Sequence, residues 1–242
     1  MSTRSLSMIV HGEPGVGKSS LAATAPAPRL VLDIEGGTRF LDVKRIVWDP
    51  MNSAPPEAPI DGAWDTCIVY VRNYKVIKQV YDWLAAGKHP FRSVVIDSLT
   101  EAQKRLIDDV SGIDQPTQQN WGAILRTLED LVRKLRDLTF HETFPLETVV
   151  VICLSHMRDG KFRPFVKGQL ELSLPGFVDV VGYLYVEQAP DGTAERKLLI
   201  APFGQIDAKD RTRVLTEKFG SVIVQPNIST MLSTIFPGED TE

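Results

Sequence analysis

Cysteine is scarce in this chain, with two residues, Cys67 and Cys153, in 242. Both lie inside apolar runs that read as strands, so they are expected as buried free thiols in a reducing compartment. A disulfide framework or a zinc site is not expected. No apolar run approaches the ~20 residues that a membrane helix needs. Met1-Ser-Thr-Arg-Ser-Leu6 enters the first apolar segment directly, so no signal peptide and a cytoplasmic location are expected. An excess of positive charge is also missing. Lys and Arg number 27 against 31 Asp and Glu, for a formal net charge of -4. A globally basic nucleic-acid binder is therefore excluded, and any such contact must come from a local patch or from many subunits together. There is no internal repeat and no second phosphate loop. The remaining composition, 43% hydrophobic and 24% charged, describes an ordinary globular α/β chain that buries ~70–75% of its unfolded surface.

The chain does carry a compact motif near its start. Met8-Ile9-Val10 reads as a short buried strand, and Ser20-Leu21-Ala22-Ala23 as a helix start. Between them Gly12-Glu13-Pro14-Gly15-Val16-Gly17-Lys18-Ser19 fits the pattern G-x-x-x-x-G-K-[ST] at every fixed position. Strand, glycine loop and helix in that order turn the backbone N–H groups of a phosphate loop inward, with the helix N-terminus adding partial positive charge. Residues Gly12 to Ser20 are thus expected to bind ATP. Lys18 would reach the β- and γ-phosphates and the Ser19 hydroxyl would hold Mg²⁺.

Further strands are expected at Arg29–Asp33, Cys67–Val71, Phe91–Asp97 and Thr148–His156, with the last as the central strand. Their carboxyl ends collect polar residues where ligands gather in open parallel sheets. Asp33-Ile34-Glu35 ends the second strand, and these carboxylates read either as a cap with a solvated side chain or as functional groups. Asp97 is a candidate for the Mg²⁺ shell through water. His156 is either a satisfied structural histidine or a nucleotide contact. Helices are expected at Tyr74–Ala86, Ser98–Val110 and Trp121–Leu138, the last with a mixed-charge solvated face. Residues 49–63 read as a proline-rich exposed excursion. Arg158, Lys161, Phe162, Arg163, Phe165 and Lys167 interleave cations and aromatics. That pattern suits single-stranded nucleic acid or, equally, a basic hairpin whose aromatics pack on the core. Tyr183–Glu187 and Arg196–Ile200 around Asp191-Gly192 form a β-hairpin. Ala208–Arg213 is a basic cluster, and residues 237–242 are expected to fray.

Assembled, these residues resemble the RecA-like ATPases, in particular the minimal RecA-like single-strand annealing proteins of bacteriophages. The likeness spans about residues 6–214. It implies a single RecA-like domain over 1–242, with a mostly parallel twisted sheet flanked by helices and a C-terminal antiparallel hairpin. Asp33-Ile34-Glu35 resembles the family's Asp-x-Glu, which makes Glu35 the implied general base, and Asp97 matches the acidic residue of the metal strand. Leu154-Ser155-His156 stands where the family carries a polar γ-phosphate sensor, usually glutamine. The resemblance places a mobile DNA-binding loop at 158–168, and Lys209 and Arg211 as cations reaching a neighbour's ATP. It further implies single-stranded DNA and a single-strand-binding protein as partners, a ring or filament of identical subunits, and, if phage-encoded, the host cytoplasm. Two other readings stay open, a kinase-type phosphotransferase and a non-catalytic nucleotide-gated assembly factor of a replication or packaging machine.

Overall fold

The computed structural model describes residues 4–238. In chain order the strands and helices are β1 (Leu6–Gly12), α1 (Lys18–Ala22), β2 (Arg29–Asp33), β3 (Arg45–Val47), β4 (Thr66–Tyr70), α2 (Tyr74–Ala85), β5 (Ser93–Asp97), α3 (Leu99–Ser111) and α4 (Gln118–Asp137). The second half adds β6 (Thr148–Arg158), β7 (Lys161–Pro164), α5 (Leu170–Phe177), β8 (Val180–Gln188), β9 (Ala194–Leu199), β10 (Lys209–Asp210), α6 (Val214–Phe219), β11 (Val222–Val224) and α7 (Ile228–Ile235).

The sheet runs β11-β9-β8-β1-β6-β5-β2-β4-β3. It is parallel from β8 to β3, and β9 and β11 continue it antiparallel. The interior strands are apolar without alternation because both faces are covered. Ile9, Leu32, Ile96, Val151 and Cys153 face α2, α3, α4 and α5. Met8, Val10, Val31, Val95 and Ile152 face α1 and α7. Helix α4 buries the stripe Ile124, Leu128, Leu131 and Leu135, the four-and-three spacing of an amphipathic helix. Thr117 caps it by accepting from the Asn120 N–H, which starts the helix three residues before the expected Trp121. Both cysteines are buried and free. No described helix is long and apolar enough to cross a membrane.

Two features go beyond the expected elements. Leu170–Phe177 is a helix, with Pro175 and Gly176 inside it, because Leu170 and Leu174 bury one face. Pro175 sits in its last turns, and the helix ends two residues later. The core does not stop near residue 214, since Leu215, Ile223, Ile228, Met231 and Leu232 complete the face that covers α1. Residues 158–164 form the basic hairpin, one of the two readings of this segment: the chain turns at Asp159-Gly160, and β7 returns antiparallel along β6, while residues 165–168 belong to neither strand nor helix. Of the segment expected to fray, residues 239–242 lie outside the described residues.

Register aligns the carboxyl ends of the strands. Gly12 pairs with Leu154 and Asp33 with Asp97, so the phosphate loop and the acidic residues share one edge.

Candidate functional site

Gly12 ends β1 against the backbone of β8, where a Cβ would stand 2.3 Å from the Leu184 carbonyl oxygen. No side chain fits there. Gly17 enters α1 with φ 94°, left-handed backbone that favours glycine. The helix has no side-chain N-cap, leaving its first N–H groups for an anion. The Lys18 ammonium curls into the loop, donating to the carbonyls of Gly12 at 3.0 Å and Glu13 at 2.7 Å. Burial lowers its pKa, while Glu35, Asp97, Cys153 and Glu13 act in the opposite direction.

Beside the loop, Ser19 Oγ donates to Asp97 Oδ2 at 2.5 Å. Burial pushes the Asp97 carboxyl up from 3.8 to about 6. The Ser19 hydrogen bond and Lys18 oppose this, and the Glu35 and Asp33 charges add to it. The two acidic residues ending β2 have different surroundings. Asp33 accepts from the N–H groups of Gly36 at 2.7 Å and Thr38 at 3.2 Å and from the Thr38 hydroxyl, which folds the loop after β2. Glu35 is exposed, and Ser98 Oγ donates to its Oε1. Hard oxygen donors at Ser19 and Asp97, amid more carboxylate charge than Lys18 offsets, suit Mg²⁺. These residues fit the metal that a triphosphate brings.

His11, to which its sequence context assigned no role, is fully buried in β1. Its Nε2 lies 2.8 Å from the Asp207 carbonyl and its Nδ1 2.6 Å from Ser155 Oγ. A carbonyl only accepts, so Nε2 carries the proton and Nδ1 accepts from Ser155. Burial pushes this imidazole down to about 4, so it is neutral at physiological pH. His156 turns to another partner, its Nε2 lying 3.0 Å from Glu171 Oε2 and its ring against Phe165. Glu171, 2% exposed, also meets Arg158 at 3.0 Å and Arg163 at 3.7 Å. Sequence reasoning passed over His11, Ser98, Glu171 and Asp207. Only His11, a polar residue inside an apolar strand beside Gly12, left a sequence signal.

Residues 4–212 match a family model described as AAA domain. This chain belongs to the AAA domain family. It is a P-loop ATPase. In fold it is similar to a prototypical ATPase from the type III secretion system of pathogenic bacteria, with a TM-score of 0.53 at 12% identity. That likeness covers 93% of this chain and 61% of the other, so this chain spans about three fifths of that structure's length. At this identity the likeness is one of fold alone. No curated protein matches the sequence.

The remaining expected site residues of this AAA domain, apart from the Lys167 side chain, are engaged within the chain. Lys209 donates to the carbonyls of Pro175 and, at 2.7 Å, Val178. Arg211 donates to the Gly176 carbonyl at 2.7 Å and lies 3.4 Å from Asp179. Both thus cap the end of α5. Phe162 lies near Tyr183 and Phe165 near His156, and both rings are half-buried. They pack on their own chain, and Met157 and Phe203 are the exposed apolar side chains beside them. Arg163 pairs with Asp207 at 2.9 Å and Lys161 with the same carboxylate at 3.9 Å. Lys167 is exposed, with its backbone pinned by Gln103.

Proposed function

We propose that this AAA domain is a RecA-like ATPase that oligomerises on single-stranded DNA and promotes annealing or strand exchange of the phage recombination type, alongside a single-strand-binding protein. The carrying observation is the unbroken run of β6 from Leu154, opposite Gly12, into the cationic hairpin at Arg158–Lys161. One rigid element thereby joins the nucleotide edge to the basic surface. Lys18 leaves the Gly12 and Glu13 carbonyls for the β- and γ-phosphates. Glu35, held by Ser98, takes the proton of the water that attacks the γ-phosphorus, and the bond to the β–γ bridging oxygen breaks to release ADP and phosphate. Ser19 and, through water, Asp97 would hold Mg²⁺, which would supply neutralisation of phosphate charge.

Register supports a trans role for Lys209 and Arg211. Lys209 pairs with Val181, which itself pairs with Ile9, three residues before Gly12, and Arg211 lies two residues further on in the chain. At ~3.3 Å per residue Lys209 lies roughly 10 Å back from its own loop, so a contact with ATP would be made by a neighbouring subunit's cations. ATPase rate against protein concentration, with and without single-stranded DNA, tests the proposal. The rate should climb more steeply than concentration and rise again with DNA. A proportional, DNA-indifferent rate overturns it. Lys161→Ala with Lys167→Ala should also weaken DNA binding and flatten its salt dependence.

A second reading has its own observation. Glu171, Asp207 and Asp159 balance Arg158, Arg163 and Lys161, which suits a nucleotide-gated protein contact better than a polyanion. Under it Glu35→Gln leaves the biological role intact and Lys18→Ala abolishes it.

A further inference from the structure

Phe40 is 80% exposed, yet the loop that carries it is held firmly. This loop follows Glu35 and tightens into a 3₁₀ turn at Thr38–Phe40. Asp33 fixes its start through Gly36 and Thr38. The Arg45 guanidinium fixes its end, donating to the Thr38 carbonyl at 3.1 Å and to the Leu41 carbonyl. The Arg39 guanidinium lies 4.7 Å over the Phe40 ring. An aromatic side chain braced in this way gives up little conformational freedom on binding, which suits an interface anchor. Asp42 stands exposed two residues on, and among the described residues no cation lies within ion-pair distance of it.

A groove of about 660 Å³ opens between α4 and α5, with Leu125, Arg126, Glu129, Leu170 and Leu172 in its lining. Leu172 is 62% exposed. The groove is closed below by a tight approach, since a Cβ on Gly168 would stand 2.9 Å from Leu125. Arg126 Nε donates to the Gly122 carbonyl at 3.1 Å, and among the described residues no carboxylate comes within ion-pair distance of its guanidinium. Glu129, by contrast, pairs with Arg133 at 2.5 Å. The groove thus offers apolar surface beside an uncompensated cation, and the Phe40 loop offers an apolar ring beside an uncompensated carboxylate.

These two surfaces also border the same composite site. Phe40 stands five residues past Glu35. Leu172 precedes Gly176, whose carbonyl Arg211 engages, by four residues, about 6 Å along a helix. A copy whose Lys209 and Arg211 reach a neighbour's ATP therefore brings its groove to the nucleotide edge from which the neighbour's Phe40 loop projects. We propose that Phe40 and Asp42 of one copy dock in the α4–α5 groove of the next, the ring against Leu125 and Leu172 and the carboxylate on Arg126. The proposal rests on the trans reading of Lys209 and Arg211. Unlike surfaces meet, so the contact is head-to-tail and builds a ring or filament rather than a twofold dimer.

Sedimentation velocity of the full chain with MgATP tests it. Phe40→Ala should weaken assembly about thirtyfold. Asp42→Arg and Arg126→Asp should each weaken it about tenfold, and the two combined in one chain should recover most of the loss. An equimolar mixture of Phe40→Ala and Leu172→Arg chains should form dimers and nothing larger, because one kind of contact stays complete. Phe40→Ala that assembles like the unmodified chain overturns the docking, as does a mixture that stays monomeric. Arg126→Asp that loses affinity for single-stranded DNA but assembles fully also overturns it, making the groove a nucleic-acid site. An unmodified chain that is monomeric at every concentration, with or without DNA, instead removes the oligomer reading beneath the proposal.

Discussion

Lowering the pH puts the strongest load on His11. This side chain is fully buried and stays neutral, donating from Nε2 to Asp207 and accepting at Nδ1 from Ser155. Burial takes its pKa from 6.5 to about 4. A depressed pKa contributes stability that is present above the unfolded value, near 6.5, and is lost as pH falls through the folded value, near 4. The full gap corresponds to about 3 kcal/mol, of which about 2 kcal/mol is gone by pH 5. His89, also lowered to about 4 by burial and by His141, pulls the same way, and Asp97, raised to about 6, pulls against it. A single stability curve therefore does not isolate His11. Its difference from His11→Gln does, because the other groups cancel. In urea unfolding the variant should be the less stable protein at pH 7, and the gap should narrow by about 2 kcal/mol at pH 5. Parallel curves for the two proteins would refute the reasoning, as would a His11 ring that titrates near 6.5 by NMR.

Two further predictions address the site. Lys18→Ala should lose nucleotide binding measured by calorimetry, whereas Glu35→Gln should keep binding and slow turnover by roughly 10²–10⁴-fold; an unchanged rate removes Glu35 as the base. Asp97→Asn without Mg²⁺ should be the more stable protein at pH 8, by up to about 3 kcal/mol. A raised carboxyl loses its stabilising contribution as pH rises through about 6, and the amide still accepts from Ser19. Paired thermal melts that show the variant less stable would contradict this.

The parts of the fold legible in the sequence are those whose burial is two-sided or strictly periodic. Val149 to Cys153 has no polar interruption because β1 and β5 flank it and helices cover both faces. Helix α4 shows its stripe for the same reason. Helix α5 hid because two leucines anchor it and a proline and glycine sit in its second half. At the site, the phosphate loop is a local motif and was readable as one. The separation of Asp33 from Glu35 was not, since it depends on where the N–H groups of Gly36 and Thr38 point. His11 has partners 144 and 196 residues away, beyond any local pattern. The cations of residues 158–163 could be counted, but their pairing with Glu171 and Asp207 could not.

Those two acidic residues tie the hairpin to the nucleotide edge more closely than the strand alone does. Asp207 offers its carbonyl to His11 in β1 and its carboxylate to Arg163 in β7. Glu171 gathers Arg163, Arg158 and His156. Any displacement of β1 at Gly12 therefore meets a chain of hydrogen bonds and ion pairs that ends at the hairpin turn, buried or half-buried except at its exposed last member, Arg158. Buried polar chains of this kind hold one arrangement until a partner is lost, because an orphaned charge is costly. The carboxylates that mask the basic surface would thus also hold it in place, and a polyanion could compete for Arg158 and Lys161 only by weakening the grip of Glu171 and Asp207 on them. Under the proposed function, binding at the hairpin and occupancy of the phosphate loop would act on the same two residues, which is the physical content that a coupling between DNA and ATP would need in this fold.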